Sequence, residues 1–111
     1  MEECLFCKII RGEIPSDKVY EDELCYAFKD INPKAPVHLL IIPKRHYPTL
    51  NDLPDGEMEI VGHIHRVIKK LALEFGVAES GYRVLLNTNK EGGQVVFHLH
   101  YHLIGGRQLR G

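Results

Sequence analysis

The chain has 111 residues, of which 44% are hydrophobic and 26% charged, and its formal net charge is −1. This size and composition are typical of a single globular domain spanning residues 1–111, and the balanced charge argues against binding of bulk nucleic acid. No apolar run is long enough for a membrane-spanning helix, and the acidic N-terminus lacks the basic and apolar regions of a signal peptide. With three cysteines and no secretion signal, we expect a cytoplasmic protein.

The N-terminal half predicts a short helix followed by three strands. Residues 4–11 form a mainly apolar segment that Gly12 ends, which indicates a short helix. Residues 19–22 and 24–28 are rich in β-forming side chains and favour a hairpin. Residues 37–42 are almost entirely apolar, which is typical of a central strand covered on both faces.

The C-terminal half predicts one long helix and two further strands. Apolar residues recur at helical spacing between residues 54 and 75, and Gly76 is placed to cap the end of this helix. Residues 82–87 and 95–104 indicate strands joined by a polar loop. This order of elements favours an α+β fold with an antiparallel sheet of about five strands over alternating βαβ units.

Three histidines alternate with apolar residues in the last predicted strand. Because alternate residues of a strand share a face, His98, His100 and His102 would form a row on one face, opposite the leucines and tyrosine between them. Imidazole titrates near neutral pH and serves as nucleophile, proton carrier or metal ligand. The row therefore indicates a reactive site, with a plain metal site or a merely polar strand face as the alternatives.

A glycine pair lies just before this row. Gly92 and Gly93 would let the backbone approach a ligand closely and direct N–H groups at oxygens. A glycine pair alone is typical of a hairpin turn, but beside a row of histidines it favours a phosphate ligand.

The pattern from Gly93 to Ile104 resembles the signature of the histidine-triad family, in which three histidines alternate with apolar residues. The resemblance extends over nearly the whole chain, through the segments 30–38, 42–46 and 105–108. Within this family, the chain most resembles the nucleotide-binding, phosphoramidase branch. It implies a five-stranded antiparallel sheet with one long helix and a short N-terminal helix.

The resemblance also implies a chemistry. The middle histidine, His100, would attack the α-phosphorus of a purine nucleotide (AMP-like or GMP-like), and a nucleotidyl-histidine intermediate would then be hydrolysed. The favoured substrate is a purine nucleoside 5′-phosphoramidate such as adenosine 5′-monophosphoramidate. The implied catalytic residues are His38, Asn87, His98, His100 and His102. Among them His102 would donate to phosphate oxygens, as would the backbone of Gly93 and Val95.

Nucleotide binding by the same analogy involves the ribose and the base. Asp30 would accept hydrogen bonds from the ribose hydroxyls, although an Asp at this position is also typical of a turn. The base would lie in an apolar slot, whose members are equally typical of ordinary core. The slot residues are Leu5, Phe6, Ile9, Phe28 and Ile31.

Val95 departs from the family pattern, because many relatives have Ser or Thr there. Valine keeps the backbone N–H but lacks a hydroxyl that reaches the phosphate, which bears on rate more than on binding. The chain also ends soon after Arg107, where relatives often have a longer tail. On the long helix, His63 and His65 are expected on the solvated face, without a role.

A zinc site is the last expectation. Cys4 and Cys7 have the spacing with which two thiolates grip one metal, although two small buried residues on a helix would have the same spacing. In some relatives this pair binds structural zinc together with two histidines that match His46 and His98. The resemblance further implies a homodimer, and zinc would not be required for the chemistry. A nucleotide-binding regulator with vestigial activity and a zinc-dependent binding module are the alternative functions.

Overall fold

A computed structural model describes residues 4–111, and its centre is a five-stranded antiparallel sheet. The strands occur in the order β1-β2-β3-β5-β4, and each pairs with its neighbour in antiparallel register. The strands are β1 Lys18–Glu21, β2 Cys25–Lys29, β3 Val37–Pro43, β4 Tyr82–Leu86 and β5 Tyr101–Gly105. The helices are α1 Leu5–Ile10 and α2 Glu59–Glu74. The predicted α+β class, the sheet and both helices are confirmed.

The two faces of the sheet carry different layers. Helix α2 covers one face, where its apolar stripe packs against alternate residues of the strands, including Leu39, Ile41 and Leu103. Helix α1 covers part of the other face, where Phe6 and Ile9 pack against the remaining residues of β2 and β3. β3 is therefore buried on both faces, as its apolar sequence predicts.

The long helix begins later than predicted. Residues 55–57 form a separate 3₁₀ turn, in which Glu57 N–H donates to Pro54 O at 2.9 Å, and α2 begins at Glu59. Pro54 itself has an extended backbone, with ψ of 146°, and lies outside the helix. The C-terminal end agrees with the sequence, because Gly76 has a φ of +75°, the left-handed conformation typical of a helix stop.

The last strand is shorter than predicted, and two of the three histidines in the row, His98 and His100, lie before it. Only residues 101–105 are strand, so the expectation that residues 95–100 are strand is wrong. The physical reason lies in the neighbours: β4 ends at Leu86, opposite Tyr101, and Pro43 at the end of β3 has no N–H for a further ladder bond. Leu99 N–H instead donates to Tyr47 O at 2.7 Å, in the loop that follows β3.

The side chains before β5 still alternate between the two faces. Leu99 belongs to the core beneath α2, whereas the rings of His98 and His100 contact Phe6 of α1 on the other face. The predicted separation of histidines from apolar residues thus holds without a regular strand. None of the helices within residues 4–111 is long and apolar enough to cross a bilayer.

A polar cluster joins the β1–β2 turn to α2. Asp22 accepts four hydrogen bonds: the N–H groups of Leu24 and Cys25 donate to Oδ1, and Tyr20 Oη and His63 Nε2 donate to Oδ2 at 2.7 Å each. The expectation that His63 is simply solvated is therefore wrong, because its ring reaches back to the turn. Burial alone would raise the pKa of Asp22, but these hydrogen bonds outweigh burial and hold it well below its usual value.

We expect Asp22→Asn to lower the free energy of unfolding by about 1–3 kcal/mol at pH 7, the typical cost of a disrupted hydrogen bond to a charged group. A carboxylate with a lowered pKa in the folded state stabilises fully above its unfolded pKa of about 4, and this contribution is lost as the pH falls through the folded pKa. The variant should therefore lose part of the acid sensitivity of the wild type, measured by urea denaturation at several pH values. Asp17→Asn, at a carboxylate that is 70% exposed, is the control. Identical pH dependence in all three proteins would contradict this role of Asp22.

Candidate active site

Four histidines come together on the α1 face of the sheet. His102 lies on β5 and His38 on β3, where the two residues are diagonal neighbours across the ladder. His100 lies just before β5, with its ring centroid 5.0 Å from that of His102 and 5.1 Å from that of Phe6. His98 precedes them, beneath the N-terminus of α1.

His100 is held in one neutral form by the backbone. Its Nδ1 lies 2.8 Å from the carbonyl oxygen of His98, and since a carbonyl only accepts, Nδ1 carries the proton and donates. The lone pair is then on Nε2. Burial lowers the pKa of His100, so the ring is neutral near pH 7, with a free nitrogen that can act as a nucleophile.

His38 and His102 form a directed pair. The backbone N–H of Lys34 donates to His38 Nδ1 at 3.0 Å, so the proton of neutral His38 lies on Nε2. This Nε2 lies 3.0 Å from His102 Nδ1, which must accept, and the proton of His102 is therefore on its own Nε2. Burial, together with the neighbouring His100 and His38, lowers the pKa of His102 to about 4. The site thus contains an imidazole nitrogen with a free lone pair beside an imidazole with an available N–H.

Comparison with known proteins identifies the family. The family model for the HIT domain matches residues 11–109. The chain belongs to the HIT family. It is 53% identical over 108 residues to the purine nucleoside phosphoramidase of Escherichia coli K12, an alignment that covers 97% of this chain and 91% of that protein.

Solved structures of HIT proteins have the same fold. A histidine triad protein from Clostridium difficile superposes with a TM-score of 0.96 at 55% identity, covering 100% of this chain and 98% of that one. A HIT family hydrolase from Legionella pneumophila Philadelphia 1 gives a TM-score of 0.95 at 53% identity, covering 97% of this chain and 96% of the other. The similarity in sequence is therefore accompanied by the same fold over nearly the whole chain.

The cysteine pair and two histidines converge at the edge of this HIT site. One ligand atom from each of Cys4, Cys7, His46 and His98 lies within 4.8 Å of the others. His98 Nδ1 is 3.3 Å from Cys4 Sγ and 3.2 Å from His46 Nδ1. His98 Nε2 donates to Pro43 O at 2.8 Å, which leaves Nδ1 unprotonated and directed at the sulfurs. Two sulfurs and two ring nitrogens in this arrangement fit a four-coordinate metal.

The loop before the histidines differs from one expectation. Gly93 has a φ of +86°, so glycine is required there, but its N–H donates to Lys90 O at 3.0 Å. This N–H therefore already has an acceptor within its own loop. A Cβ at Gly93 would lie 4.0 Å from Nδ2 of Asn87, which places the Asn87 amide beside this loop.

Gln94 is a residue that the sequence reasoning missed. It is buried, and its amide nitrogen donates to Pro48 O at 2.7 Å and to Val96 O at 3.0 Å. Its amide oxygen accepts from Asn89 N–H at 2.8 Å. One side chain therefore joins the glycine loop to the segment after β3, and the only sequence signal was a polar residue between a glycine and an apolar run.

The expected nucleotide-binding residues do not share one environment. Asp30 serves as a turn residue through Oδ1, which accepts from Asn32 N–H at 2.8 Å, while Oδ2 lies 3.4 Å from His38 Nε2. Leu5 is 44% and Ile31 90% exposed. Phe6 and Ile9, on the buried side of α1, pack with Phe28 of β2 in the core between the helix and the sheet.

Val95 is 86% exposed, and its side chain brings no hydroxyl to the site. A cavity of about 460 Å³ lies between it, Leu5, Pro48 and Phe97, beside two of the metal-ligand candidates. A larger cavity of about 730 Å³ lies near the C-terminus and contains none of the expected catalytic residues. The chemistry of the site is therefore identified by its imidazole arrangement and not by cavity size.

Proposed function

We propose that this protein hydrolyses the phosphorus–nitrogen bond of purine nucleoside 5′-phosphoramidates, with adenosine 5′-monophosphoramidate as the simplest substrate. The observation that carries the proposal is the His100 ring: it is buried and neutral, with Nδ1–H donated to a carbonyl and Nε2 left as the attacking atom. The name of the Escherichia coli relative, which is 53% identical to this chain over 108 residues, supports the same reaction.

The reaction needs two displacements at phosphorus. His100 Nε2 forms a bond to the α-phosphorus while the bond from phosphorus to the substrate nitrogen breaks, and that nitrogen takes a proton from solvent and leaves as an amine. Water then attacks the same phosphorus, the bond to His100 breaks, and the nucleoside monophosphate departs. The Nε2–H of His102 is oriented as a donor to a non-bridging phosphate oxygen in both steps.

The remaining residues bind the nucleotide in this proposal. Asp30 has one carboxylate oxygen that is not used by its turn, and this oxygen accepts from the ribose. Leu5 and Ile31 offer exposed apolar surface to the purine, above a floor that includes Phe6. Asn87 and the backbone N–H of Val95 contact the phosphate.

A nucleotide-binding regulator with vestigial chemistry is the second candidate. The exposed, hydroxyl-free side chain of Val95 favours it, because one donor common in relatives is absent from this site. A turnover measurement separates the two candidates.

We expect His100→Asn to lower turnover of adenosine 5′-monophosphoramidate by several orders of magnitude, because no second nucleophile replaces the lost nitrogen. Binding of AMP, measured by calorimetry, should remain within about threefold of wild type, since the ring contributes mainly to the chemical step. His65→Asn, at an exposed histidine of α2, is the matched control. Wild-type turnover no faster than that of His100→Asn would favour the regulator.

We further propose that Cys4, Cys7, His46 and His98 hold a structural zinc ion. The convergence of their ligand atoms and the orientation of His98 by Pro43 O support this. When bound, zinc would cross-link α1 to the loop after β3 and to the histidine segment, with no open position for water. Such a site needs reduced thiols, which fits the proposed cytoplasmic location.

We expect protein purified without an affinity tag from zinc-supplemented medium to contain about one zinc per chain. Chelation should lower the melting temperature more than the rate per folded molecule, because the metal joins segments and takes no part in the reaction. Cys7→Ser should lower the zinc content, whereas Cys25→Ala, at a buried cysteine outside the quartet, should not. Elemental analysis that found well below one zinc per wild-type chain would contradict the proposal, and Cys4 and Cys7 would then be ordinary packing residues.

We also propose a homodimer. β4 is an edge strand, so one side of it has backbone groups that are not paired within the sheet. Its residues are mostly half-buried in the single chain, and Leu73 of the neighbouring helix is 72% exposed. Pairing of β4 with its copy across a two-fold axis would extend the sheet and cover this surface.

We expect light scattering at high micromolar concentration to give twice the chain mass of 12.7 kDa. Dilution should shift the mass toward the monomer only at much lower concentration, because strand pairing and apolar burial act together in such interfaces. A monomer at high micromolar concentration would contradict the proposal.

A further inference from the structure

Arg107 joins the C-terminal turn to the loop between β2 and β3. Its guanidinium donates twice to one acceptor, the carbonyl oxygen of Lys34, from Nε at 3.1 Å and from Nη2 at 2.8 Å. The adjacent Gly106 lies against Pro36, so closely that a Cβ on Gly106 would be 3.0 Å from the Cβ of Pro36. The turn after β5 and the loop before β3 are thus in direct contact at two successive residues.

The other side of the same residue, Lys34, reaches the histidines. Its backbone N–H donates to His38 Nδ1 at 3.0 Å, and His38 Nε2 donates to His102 Nδ1 at 3.0 Å. Hydrogen bonds on both sides of Lys34 therefore link the guanidinium of Arg107, through this one backbone residue and the ring of His38, to the ring of His102.

We propose that Arg107 is a positioning residue, which holds Lys34 so that its N–H decides where the protons of His38 and His102 reside. The effect of Arg107 on the reaction rate rests on the proposed hydrolysis, whereas its effect on the proton positions of His38 and His102 does not. Arg107 itself touches no reacting atom.

The two rings do not by themselves decide the direction of the His38–His102 hydrogen bond. A neutral imidazole can carry its proton on either nitrogen. If Lys34 N–H moved away, His38 could carry its proton on Nδ1 and accept from His102 Nδ1–H. His102 would then present a lone pair to a phosphate oxygen where it now presents an N–H, and two acceptors would face each other.

The Asp30 carboxylate beside the pair acts in the same direction. Asp30 Oδ2 lies 3.4 Å from His38 Nε2 and favours a proton there. The ring of His100 lies beside His102, and the positive side chain of Lys34 disfavours a further positive charge on either ring, so that both stay neutral. His38 is 5% exposed, so water has little access to replace the backbone donor.

The test is nitrogen NMR of the histidine rings in the resting, substrate-free protein, combined with kinetics. In the wild type, His38 and His102 should each show a protonated Nε2 and an unprotonated Nδ1. Arg107→Ala should mix the tautomers of both rings and lower kcat for adenosine 5′-monophosphoramidate by about three- to tenfold, the effect of one weakened hydrogen bond. KM should stay within about twofold, since the changed interaction belongs mainly to the chemical step. Arg107→Lys, which can still donate to the Lys34 carbonyl, should recover part of the kcat.

Two controls separate positioning from general effects. Lys34→Ala removes the side-chain charge but keeps the backbone N–H and C=O, so both rings should keep their tautomers. Arg110→Ala removes a cation from the same tail that makes no hydrogen bond to Lys34 in the described residues, and it should resemble the wild type. The melting temperature of Arg107→Ala checks that a lower kcat does not reflect unfolding.

The outcomes also distinguish this proposal from the proposed function. Unchanged tautomers in Arg107→Ala would overturn the positioning role, whatever the activity. Wild-type rings with Nδ1 protonated would overturn it as well. Altered tautomers in Arg107→Ala, in a protein whose wild type hydrolyses no phosphoramidate, would support the positioning role and contradict the proposed reaction.

Discussion

The arrangement of this site depends on backbone groups that assign the proton of each buried imidazole. Pro43 O accepts from His98 Nε2, His98 O accepts from His100 Nδ1, and Lys34 N–H donates to His38 Nδ1. A buried imidazole without such a partner could adopt either tautomer, and neighbouring rings at about 5 Å would then offer several competing hydrogen-bond patterns. With these partners, each ring is left with one nitrogen of known character: an unprotonated Nδ1 at His98, an unprotonated Nε2 at His100 and a donating Nε2–H at His38.

This assignment is possible because the segment before β5 is not a strand. In a regular ladder, the carbonyl of His98 would point toward a neighbouring strand and away from the ring of His100. The end of β4 at Leu86 and the proline at the end of β3 stop the ladder at Tyr101. Backbone groups of the segment before Tyr101, such as the His98 carbonyl, therefore accept from a histidine ring. Gln94 and the hydrogen bond from Leu99 N–H to Tyr47 O hold the segment in place.

His98 connects the two functions proposed for this face. Its ring points toward the cysteines and its carbonyl toward the ring of His100, so a metal that immobilises the ring also immobilises the acceptor of the nucleophile. The proposed metal site would in this way stabilise the segment that carries the histidines without taking part in the reaction. The contacts of Lys34 form a similar link, since its carbonyl accepts from Arg107 and its N–H donates to the ring of His38.

Sequence and tertiary structure determined different properties of this protein. The sequence by itself was sufficient for the α+β class, the order of elements, the two helices and the family, because these follow from hydrophobic spacing and from a dense local motif. It also indicated that Cys4, Cys7, His46 and His98 belong together, though only through resemblance to relatives. The limits of β5, the use of Gly93 N–H within its own loop and the bond from His63 to Asp22 were decided by tertiary structure. The tautomers of His38, His100 and His102 belong to the same group, since each depends on a backbone atom whose position follows from strand ends and loop contacts, and no pattern of residue types specifies the position of a carbonyl or an N–H.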